Sequence, residues 1–205
     1  MEFILLVGVA VIFVVMVVLH NIERESKRAN SQSGITSEKQ VQPFSRIKTQ
    51  RTDYHRSEAN KGYQEAKVER IIDGDTVVVS KSFRKIRIRL DSIDCPEDGQ
   101  HWGDIAKFGL IKMIGGRRVF LEEHGEDCHG RTLATLFIQD GSKWVNVNER
   151  MITLGHAWVM RRYYEHLPKE RRDKLNSLER WAKTKKVGLW KTPNPVPPWR
   201  WRNGS

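Results

Sequence analysis

The sequence predicts an α+β fold, in which a small domain of five strands and three helices follows an apolar N-terminal segment. Three observations predict it. Short β-branched or alternating segments, bounded by turn residues, recur between residues 66 and 138. Apolar residues at helical spacing occur at residues 103–114, at 147–154 and after Pro168. Residues 3–19 are apolar without a break apart from one glycine.

The first three strands are predicted from β-branched content and from alternation. Residues 68–72 and 76–79 form a hairpin whose turn is Asp73-Gly74-Asp75. Residues 83–90 then alternate between apolar and basic side chains, which puts Arg89 on the polar face of the third strand.

A helix, two strands and two further helices complete the domain. The remaining elements are predicted at residues 103–114, 119–123, 132–138, 147–154 and from Pro168 to a stop at Gly188. Five strands with a helix between the third and the fourth are typical of the OB-fold, a small, partly open barrel. The predicted fold is therefore a five-stranded OB-fold β-barrel with three helices, and such barrels commonly bind nucleic acids.

Residues 1–22 are predicted to form a transmembrane helix, because about 17–25 apolar residues span a bilayer. The chain begins Met1-Glu2, without a positive region, and no Ala-x-Ala site follows the apolar run. A retained anchor is thus favoured, with a cleaved signal peptide as the alternative. The polar residues 23–65 are predicted to be a flexible tether to a domain at residues 66–190.

Residues 191–205 form a tail rich in proline and tryptophan. We expect this tail to pack along the domain as an extended segment. Stacking of its tryptophans on nucleic-acid bases is the alternative.

The composition favours a polyanionic partner and excludes a disulfide scaffold. The chain has 36 Lys and Arg and 25 Asp and Glu, which gives a net charge of +11. Residues 63–205 contain 27 of these basic residues and 19 of the acidic ones, so their net charge is +8. A basic surface attracts nucleic acid or anionic lipid, although solubility alone also explains it. Two cysteines, Cys95 and Cys128, leave a single bridge open, and the spacing of cysteines and histidines matches no zinc pattern.

Carboxylates gather in two predicted turns. Asp73 and Asp75 lie in the hairpin turn, and Asp94 and Glu97 lie in a turn after the third strand. A proline follows Cys95 and holds it extended, which fixes the direction of its carbonyl. Carboxylate and carbonyl oxygens suit a hard cation, calcium first and magnesium as its near rival. Either turn alone needs no functional explanation, because Asp and Gly are common in turns. Two acidic turns joined by one strand, however, favour a cation site.

Two arginines belong to the same predicted cluster. Arg89 is in the strand between the acidic turns, and Arg131 follows Gly130. A guanidinium group presents a planar fork of donors that grips phosphate oxygens, whereas an exposed arginine is often only a solvated charge. Acids beside arginines therefore indicate phosphodiester chemistry.

The motifs Ile72-Asp73-Gly74-Asp75-Thr76-Val77, Arg89-Leu90, Ile93-Asp94-Cys95-Pro96-Glu97 and His129-Gly130-Arg131 resemble the thermonuclease family, the staphylococcal-nuclease-like enzymes. The resemblance covers roughly residues 66–190, and the motifs are specific in this order, although each is weak alone. It implies an OB-fold barrel with three helices. It also implies cleavage of DNA and RNA that leaves 3′-phosphate ends.

The resemblance also implies roles for individual residues. Asp75, Asp94 and the Cys95 carbonyl bind calcium, and Asp73 acts on it through water. Glu97 orients or deprotonates the attacking water. The scissile phosphate is held by the two arginines, Arg89 and Arg131.

Two positions depart from the family pattern, and two more are open. Cys95 replaces a threonine, which a carbonyl ligand tolerates, and His129 replaces a tyrosine, which changes how the nucleotide packs. Tyr163 and Tyr164 lie near aromatic residues that family members place against the nucleotide. Packing at a helix entry explains these two tyrosines equally well.

The predicted function is a calcium-dependent endonuclease, a hydrolase acting on DNA and RNA. One rival is a catalytically inactive OB-fold module that binds nucleic acid, and another is a membrane scaffold whose basic domain binds anionic lipid. The second rival leaves the acidic cluster unexplained. The sequence indicates no obligate protein partner.

Two observations give opposite predictions for the side of the membrane on which the domain lies. Arg24, Lys27 and Arg28 follow the apolar run, which by the positive-inside rule puts the domain in the cytoplasm. An unspecific calcium-dependent nuclease would instead find calcium, and avoid the genome, outside the cytoplasm. We favour the non-cytoplasmic side.

Overall fold

The structure is a computed structural model that describes residues 53–54, 63–141 and 143–204. The predicted anchor and most of the tether fall outside these residues. Within them, no helix combines the length and apolar character needed to cross a bilayer. The strands are β1 Asp53–Tyr54, β2 Gln64–Ile71, β3 Thr76–Lys81, β4 Arg84–Leu90, β5 Ile93–Asp94, β6 Arg118–Glu126, β7 Thr132–Asp140, β8 Lys143–Asn146 and β9 Trp158–Val159. The α-helices are α1 Gly103–Ile114, α2 Val147–Thr153, α3 Lys169–Thr184 and α4 Pro198–Trp201.

Five strands close into a barrel. Strands β2, β3 and β4 are antiparallel neighbours, β4 pairs in parallel with β7, and β6 pairs with both β7 and β2. Helix α1 lies in the chain between β4 and β6, the third and fourth barrel strands. The predicted five-stranded OB-fold barrel with helices is therefore confirmed.

Alternation along β4 sorts its side chains as the sequence predicts. Ile88 and Leu90 are fully buried in the barrel. Arg87 and Arg89 lie on the outer face of the strand, where Arg87 is exposed and Arg89 is partly buried. Because β4 pairs with β3 on one side and with β7 on the other, its outward residues lie beside both the hairpin turn and the start of β7. This places Arg89 at the end of the barrel where the acidic turns lie.

Helix α1 and the segment after α2 meet at Gly109 and His156. A Cβ on Gly109 would lie 2.6 Å from Nε2 of His156, so only glycine allows this approach. Trp102 donates a hydrogen bond from Nε1 to Nδ1 of His156 over 3.1 Å. Burial lowers the pKa of His156 from 6.5 to about 4, because a charged imidazolium would lose its hydration there.

The buried imidazole predicts acid sensitivity of the fold. As the pH falls below 6.5, the imidazole of His156 is protonated in the unfolded chain but stays neutral in the folded chain. The free energy of unfolding is therefore highest above pH 6.5 and decreases as the pH falls towards 4. The full loss is on the order of 3 kcal/mol. We expect His156→Gln, whose amide oxygen can still accept from Trp102, to weaken this pH dependence in urea unfolding measured at pH 7.5 and 5. An equal loss of unfolding free energy between pH 7.5 and 5 in the variant and in the unmodified chain would show that His156 is not the cause. His101→Gln, at an exposed position, is the control.

The C-terminal tail packs against the domain, as predicted, but not in a fully extended form. Residues Gly188–Lys191 form a 3-10 turn and Pro198–Trp201 form the single helical turn α4. Pro198 stands at the first helical position, where its missing N–H costs nothing and its fixed φ suits a helix. The extended conformation is therefore wrong for α4, and this turn aims the next residue, Arg202, back at the barrel.

Candidate active site

The two acidic turns touch each other. The amide of Cys95 donates to Asp75 Oδ2 over 2.7 Å, and the amide of Leu90 donates to the Asp75 carbonyl over 2.8 Å. Gly74 allows this approach, because a Cβ there would lie 2.6 Å from the Cβ of Cys95. The Asp73 carboxylate accepts from the Asp75 amide over 2.9 Å and braces the turn. The convergence predicted from the sequence is present.

Arg89 bridges the two turns. Its Nη2 lies 3.2 Å from Asp75 Oδ2 and 2.9 Å from Asp94 Oδ1. Its Nη1 donates to the carbonyls of Leu90 and Ile93 over 2.8 and 2.9 Å. Asp75 and Asp94 are only 6% and 1% exposed, so the Arg89 guanidinium supplies positive charge to both in a place that water barely reaches.

Burial has a measurable electrostatic consequence for Asp75. It raises the pKa of this carboxyl from 3.8 to about 7, against the lowering effect of Arg89, and the charges of Asp73 and Asp94 add to the rise. Two carboxylates and a backbone carbonyl such as that of Cys95 make up the all-oxygen donor set that calcium or magnesium prefers. The residues present fit a hard cation.

Arg131 joins the cluster from the start of β7. Its Nε pairs with Asp127 Oδ2 over 2.7 Å, which orients the guanidinium. Its Nη1 lies 3.4 Å from the hydroxyl of Thr76, and that hydroxyl lies 3.3 Å from Asp75 Oδ1. The two predicted arginines therefore approach Asp75 from separate strands.

Glu97 is at the exposed edge of the site. Its amide donates to the side chain of Gln100 over 2.9 Å, and its carboxylate is 36% exposed. The carboxylate pairs with Arg202, which also lies 2.9 Å from Asp94 Oδ2 and 3.3 Å from Asp94 Oδ1. Glu97 and Asp94 are thus close enough to share one guanidinium.

Arg202 is the site residue that sequence reasoning missed. Three contacts dock the segment before it: Val196 O accepts from Gln100 Nε2 over 2.7 Å, His101 Nε2 lies 3.0 Å from Thr192 Oγ1, and the ring of Trp199 meets the ring of Trp158 edge-on. Its contacts with Asp94 and Glu97 span more than a hundred residues of chain. The run of prolines and tryptophans gave only a packing signal.

The remaining predicted site residues have no contact with this cluster among those that the structure describes. His129 is exposed in the turn before Arg131, and Tyr163 is 57% exposed. Tyr164 packs against the core and accepts from Asn176 over 3.3 Å, so packing describes it in this structure. Both cysteines are free thiols, Cys95 buried and Cys128 exposed.

Removing Arg89 should unfold the site rather than merely weaken it. Arg89→Ala removes the guanidinium that bridges buried Asp75 and Asp94 and leaves Asp94 with Arg202 alone; breaking a buried pair costs about 3–5 kcal/mol. Urea unfolding would measure this loss. Arg87→Ala, two residues earlier on the exposed face of β4, is the matched control and should cost little. Equal stability of the two variants would show that Arg89 does not hold the turns together.

A barrel of this topology, with acids and arginines at one end, defines an OB-fold protein of the nuclease type. Residues 87–192 match the family described as Staphylococcal nuclease homologue, and the chain belongs to that family. The resemblance drawn from the motifs is confirmed.

Bacterial relatives are similar over most of their lengths. The chain is 38% identical over 143 residues to Protein ParB of Escherichia coli, covering 67% of this chain and 78% of that protein. It is 34% identical over 143 residues to the Micrococcal nuclease of Shigella flexneri, covering 67% and 80%. It is 36% identical over 137 residues to an Uncharacterized endonuclease of Escherichia coli O157:H7, covering 67% and 84%.

Proposed function

We propose that this chain is a calcium-dependent endonuclease that hydrolyses phosphodiester bonds of DNA and RNA by in-line attack of water. The observation that carries the proposal is the bridge of Arg89 between Asp75 and Asp94, with Arg131 and Glu97 at its two sides. Similarity to proteins named micrococcal nuclease and endonuclease supports the same reaction class.

The carboxylates of Asp75 and Asp94 and the carbonyl of Cys95 would hold the cation, and Asp73 supports the turn that carries Asp75. A bound divalent cation supplies Lewis-acid polarisation of a phosphate oxygen and positions the attacking water. Calcium is proposed first, because it accepts carboxylate and carbonyl oxygens in varied geometry, and magnesium is its near rival.

Glu97 is the proposed base. Its side chain is 36% exposed, whereas Asp75 and Asp94 are buried, so it faces the solvent from which water enters. It takes up or steers the proton as water attacks phosphorus. The bond to the leaving oxygen breaks on the opposite side.

Arg131 and Arg89 are the proposed stabilisers of the charge that grows on the phosphorane-like transition state. Both are anchored by carboxylates, so their donors are oriented before substrate arrives and need no reorganisation during the reaction. His129 and Tyr163 are exposed and are proposed nucleotide contacts, whereas Tyr164 packs against the core.

The basic surface favours nucleic acid as the substrate, since residues 63–205 carry a net charge of +8. We extend the proposal to location: the apolar residues 3–19 anchor the chain in a membrane, with the domain on the non-cytoplasmic side. Protease accessibility in intact cells tests the side. Protection from added protease would contradict it.

Nicking of supercoiled plasmid by the purified chain tests the proposed reaction. Calcium should support conversion to nicked and linear forms, and excess chelator should stop it. Retention of plasmid in a gel shift without any nicking, at every calcium concentration, would instead identify an inactive nucleic-acid-binding module.

A further inference from the structure

A second cluster of metal-binding side chains lies apart from the hydrolytic site. It consists of Asp91, His124 and His166, which come from the end of β4, from β6 and from the loop before α3. One ligand atom from each lies within 4.8 Å of the other two, and His166 Nε2 is 3.0 Å from Asp91 Oδ2. Three distant segments of chain thus bring two imidazoles and a carboxylate to one point.

We propose that Asp91, His124 and His166 form a binding site for a borderline divalent transition metal, with zinc as its occupant. Two imidazoles and one carboxylate are a donor set that suits zinc, whereas the hydrolytic site offers oxygen alone. Ligand atoms of tetrahedral zinc lie roughly 3.4 Å apart, given bonds of about 2.0–2.1 Å. The Asp91–His166 pair already lies near that spacing, and turning of the part-exposed His166 ring adjusts the rest.

The surroundings favour a metal over a simple hydrogen-bonded cluster. The Asp91 side chain is 2% exposed and that of His124 is 11% exposed, so both are held in place. Thr135 Oγ1 lies 3.0 Å from His124 Nε2 and supplies the outer partner that metal-bound imidazoles use.

The nearby cation does not oppose a bound metal. Arg171 pairs with both carboxylate oxygens of Glu122, at 2.8 and 2.7 Å, so its charge is offset beside the cluster. A small cavity lined by Asp91, Thr135 and Arg171 lies beside the Asp91 ligand. Ser92 donates to Asp91 Oδ2 over 2.7 Å and orients the carboxylate.

Zinc titration calorimetry of the metal-free full chain tests this site. Cys128→Ser is included throughout, because an exposed thiol is itself a zinc ligand. We expect one zinc ion per chain, a higher melting temperature with zinc, and affinity about a hundredfold weaker in His124→Ala and in His166→Ala. The exposed His101→Ala is the control and should bind as the parent does.

A visible absorption band on cobalt substitution, lost in His166→Ala, would support the same ligands. His166 is part-exposed, so its variant is expected to fold even if His124→Ala does not. Absence of zinc binding in the parent, or equal binding in His166→Ala, would overturn the site. Asp94→Asn should leave zinc affinity unchanged. Weaker zinc binding in this variant would show that zinc binds at the hydrolytic site, and it would overturn the proposal of a separate zinc site.

An independent observation concerns Arg202, whose guanidinium reaches both carboxylate oxygens of Asp94 and also Glu97. Since Arg89 already holds Asp94 Oδ1, both oxygens of Asp94 are engaged by arginine. A cation that binds Asp94 must therefore compete with arginine for these oxygens. Arg202 is the more exposed of the two, with 43% of its side chain accessible against 13% for Arg89.

We infer that the C-terminal residues 196–202 form an autoinhibitory clasp, in which Arg202 competes with the divalent cation for Asp94 and Glu97. This inference rests on the proposed function. The clasp is docked through the Val196 carbonyl, which accepts from Gln100, and through the Trp199 ring, which meets Trp158 edge-on.

Calcium titration calorimetry of the full chain, with and without Arg202→Ala, tests the clasp. We expect the variant to bind calcium about tenfold more tightly, as expected for coupled binding, and to cleave DNA at correspondingly lower calcium. Lys191→Ala, an exposed tail position, is the control. Unchanged or weaker calcium affinity in Arg202→Ala would overturn the clasp and make Arg202 a substrate-binding arginine. Absence of calcium binding in every protein would contradict the proposed function itself.

Discussion

Glu97→Gln should lower turnover on DNA by about 10²–10⁴-fold, the range that a positioned base contributes. Glutamine keeps the size of the side chain but cannot take up a proton. The change lies at an exposed edge, so the melting temperature should stay close to that of the unmodified chain. Single-turnover cleavage of a labelled strand at saturating calcium would measure the effect, and substrate affinity should be little altered.

Asp98→Asn is the control for Glu97→Gln. It removes one negative charge from the same loop, at an exposed position next to Glu97. Turnover of this variant should remain near the normal value. If Glu97→Gln retained full turnover while folded, the base would have to be another group.

Arg131→Ala should lower turnover by about 10²–10³-fold, by analogy with loss of one preorganised donor in an oxyanion site. The guanidinium is oriented by Asp127 and points towards the Asp75 side of the site, so its removal takes away a donor aimed at developing charge. The effect should fall mainly on kcat. Arg131→Lys should recover only part of it, because an ammonium keeps the charge but not the planar fork.

The matched control for Arg131 is Arg84→Ala, an exposed arginine at the other end of β4. It lowers the net charge by the same amount and should chiefly weaken salt-dependent binding of DNA. An equal fall in kcat for the two variants would show that Arg131 acts through overall charge. The kcat of Asp127→Asn should lie between those of Arg131→Ala and Arg84→Ala, since this change weakens the ion pair that orients Arg131 but keeps its guanidinium.

The barrel was predictable because its strands have local signals. Strand β4 alternates between apolar and basic side chains, and β3 is β-branched between turn residues. Strands β1, β5 and β9 are two residues each, too short for any period to be read. They exist only because tertiary pairing, such as that of Asp94 with Trp158, supplies their hydrogen bonds.

The convergence of acids and arginines was predictable because each residue sits in a recognisable turn or strand and one strand joins the turns. Arg202 was not, since its partner Asp94 is 108 positions away and the helical turn that aims it has no periodic signal. The same holds for His124 and His166. Their grouping with Asp91 follows from barrel closure and from the path of the loop before α3, neither of which spacing reveals.

In the proposed nuclease, Asp75 and Asp94 hold a divalent cation beside two arginines that bind phosphate. The most direct measurement is cleavage of labelled single and double strands by the unmodified chain and by Asp94→Asn, across a calcium series, with calcium binding measured on the same samples. We predict saturable calcium binding and matching cleavage in the unmodified chain, and neither in the folded variant over the same range. Cleavage by Asp94→Asn at the same calcium concentrations, or cleavage that persists in excess chelator, would contradict the claim.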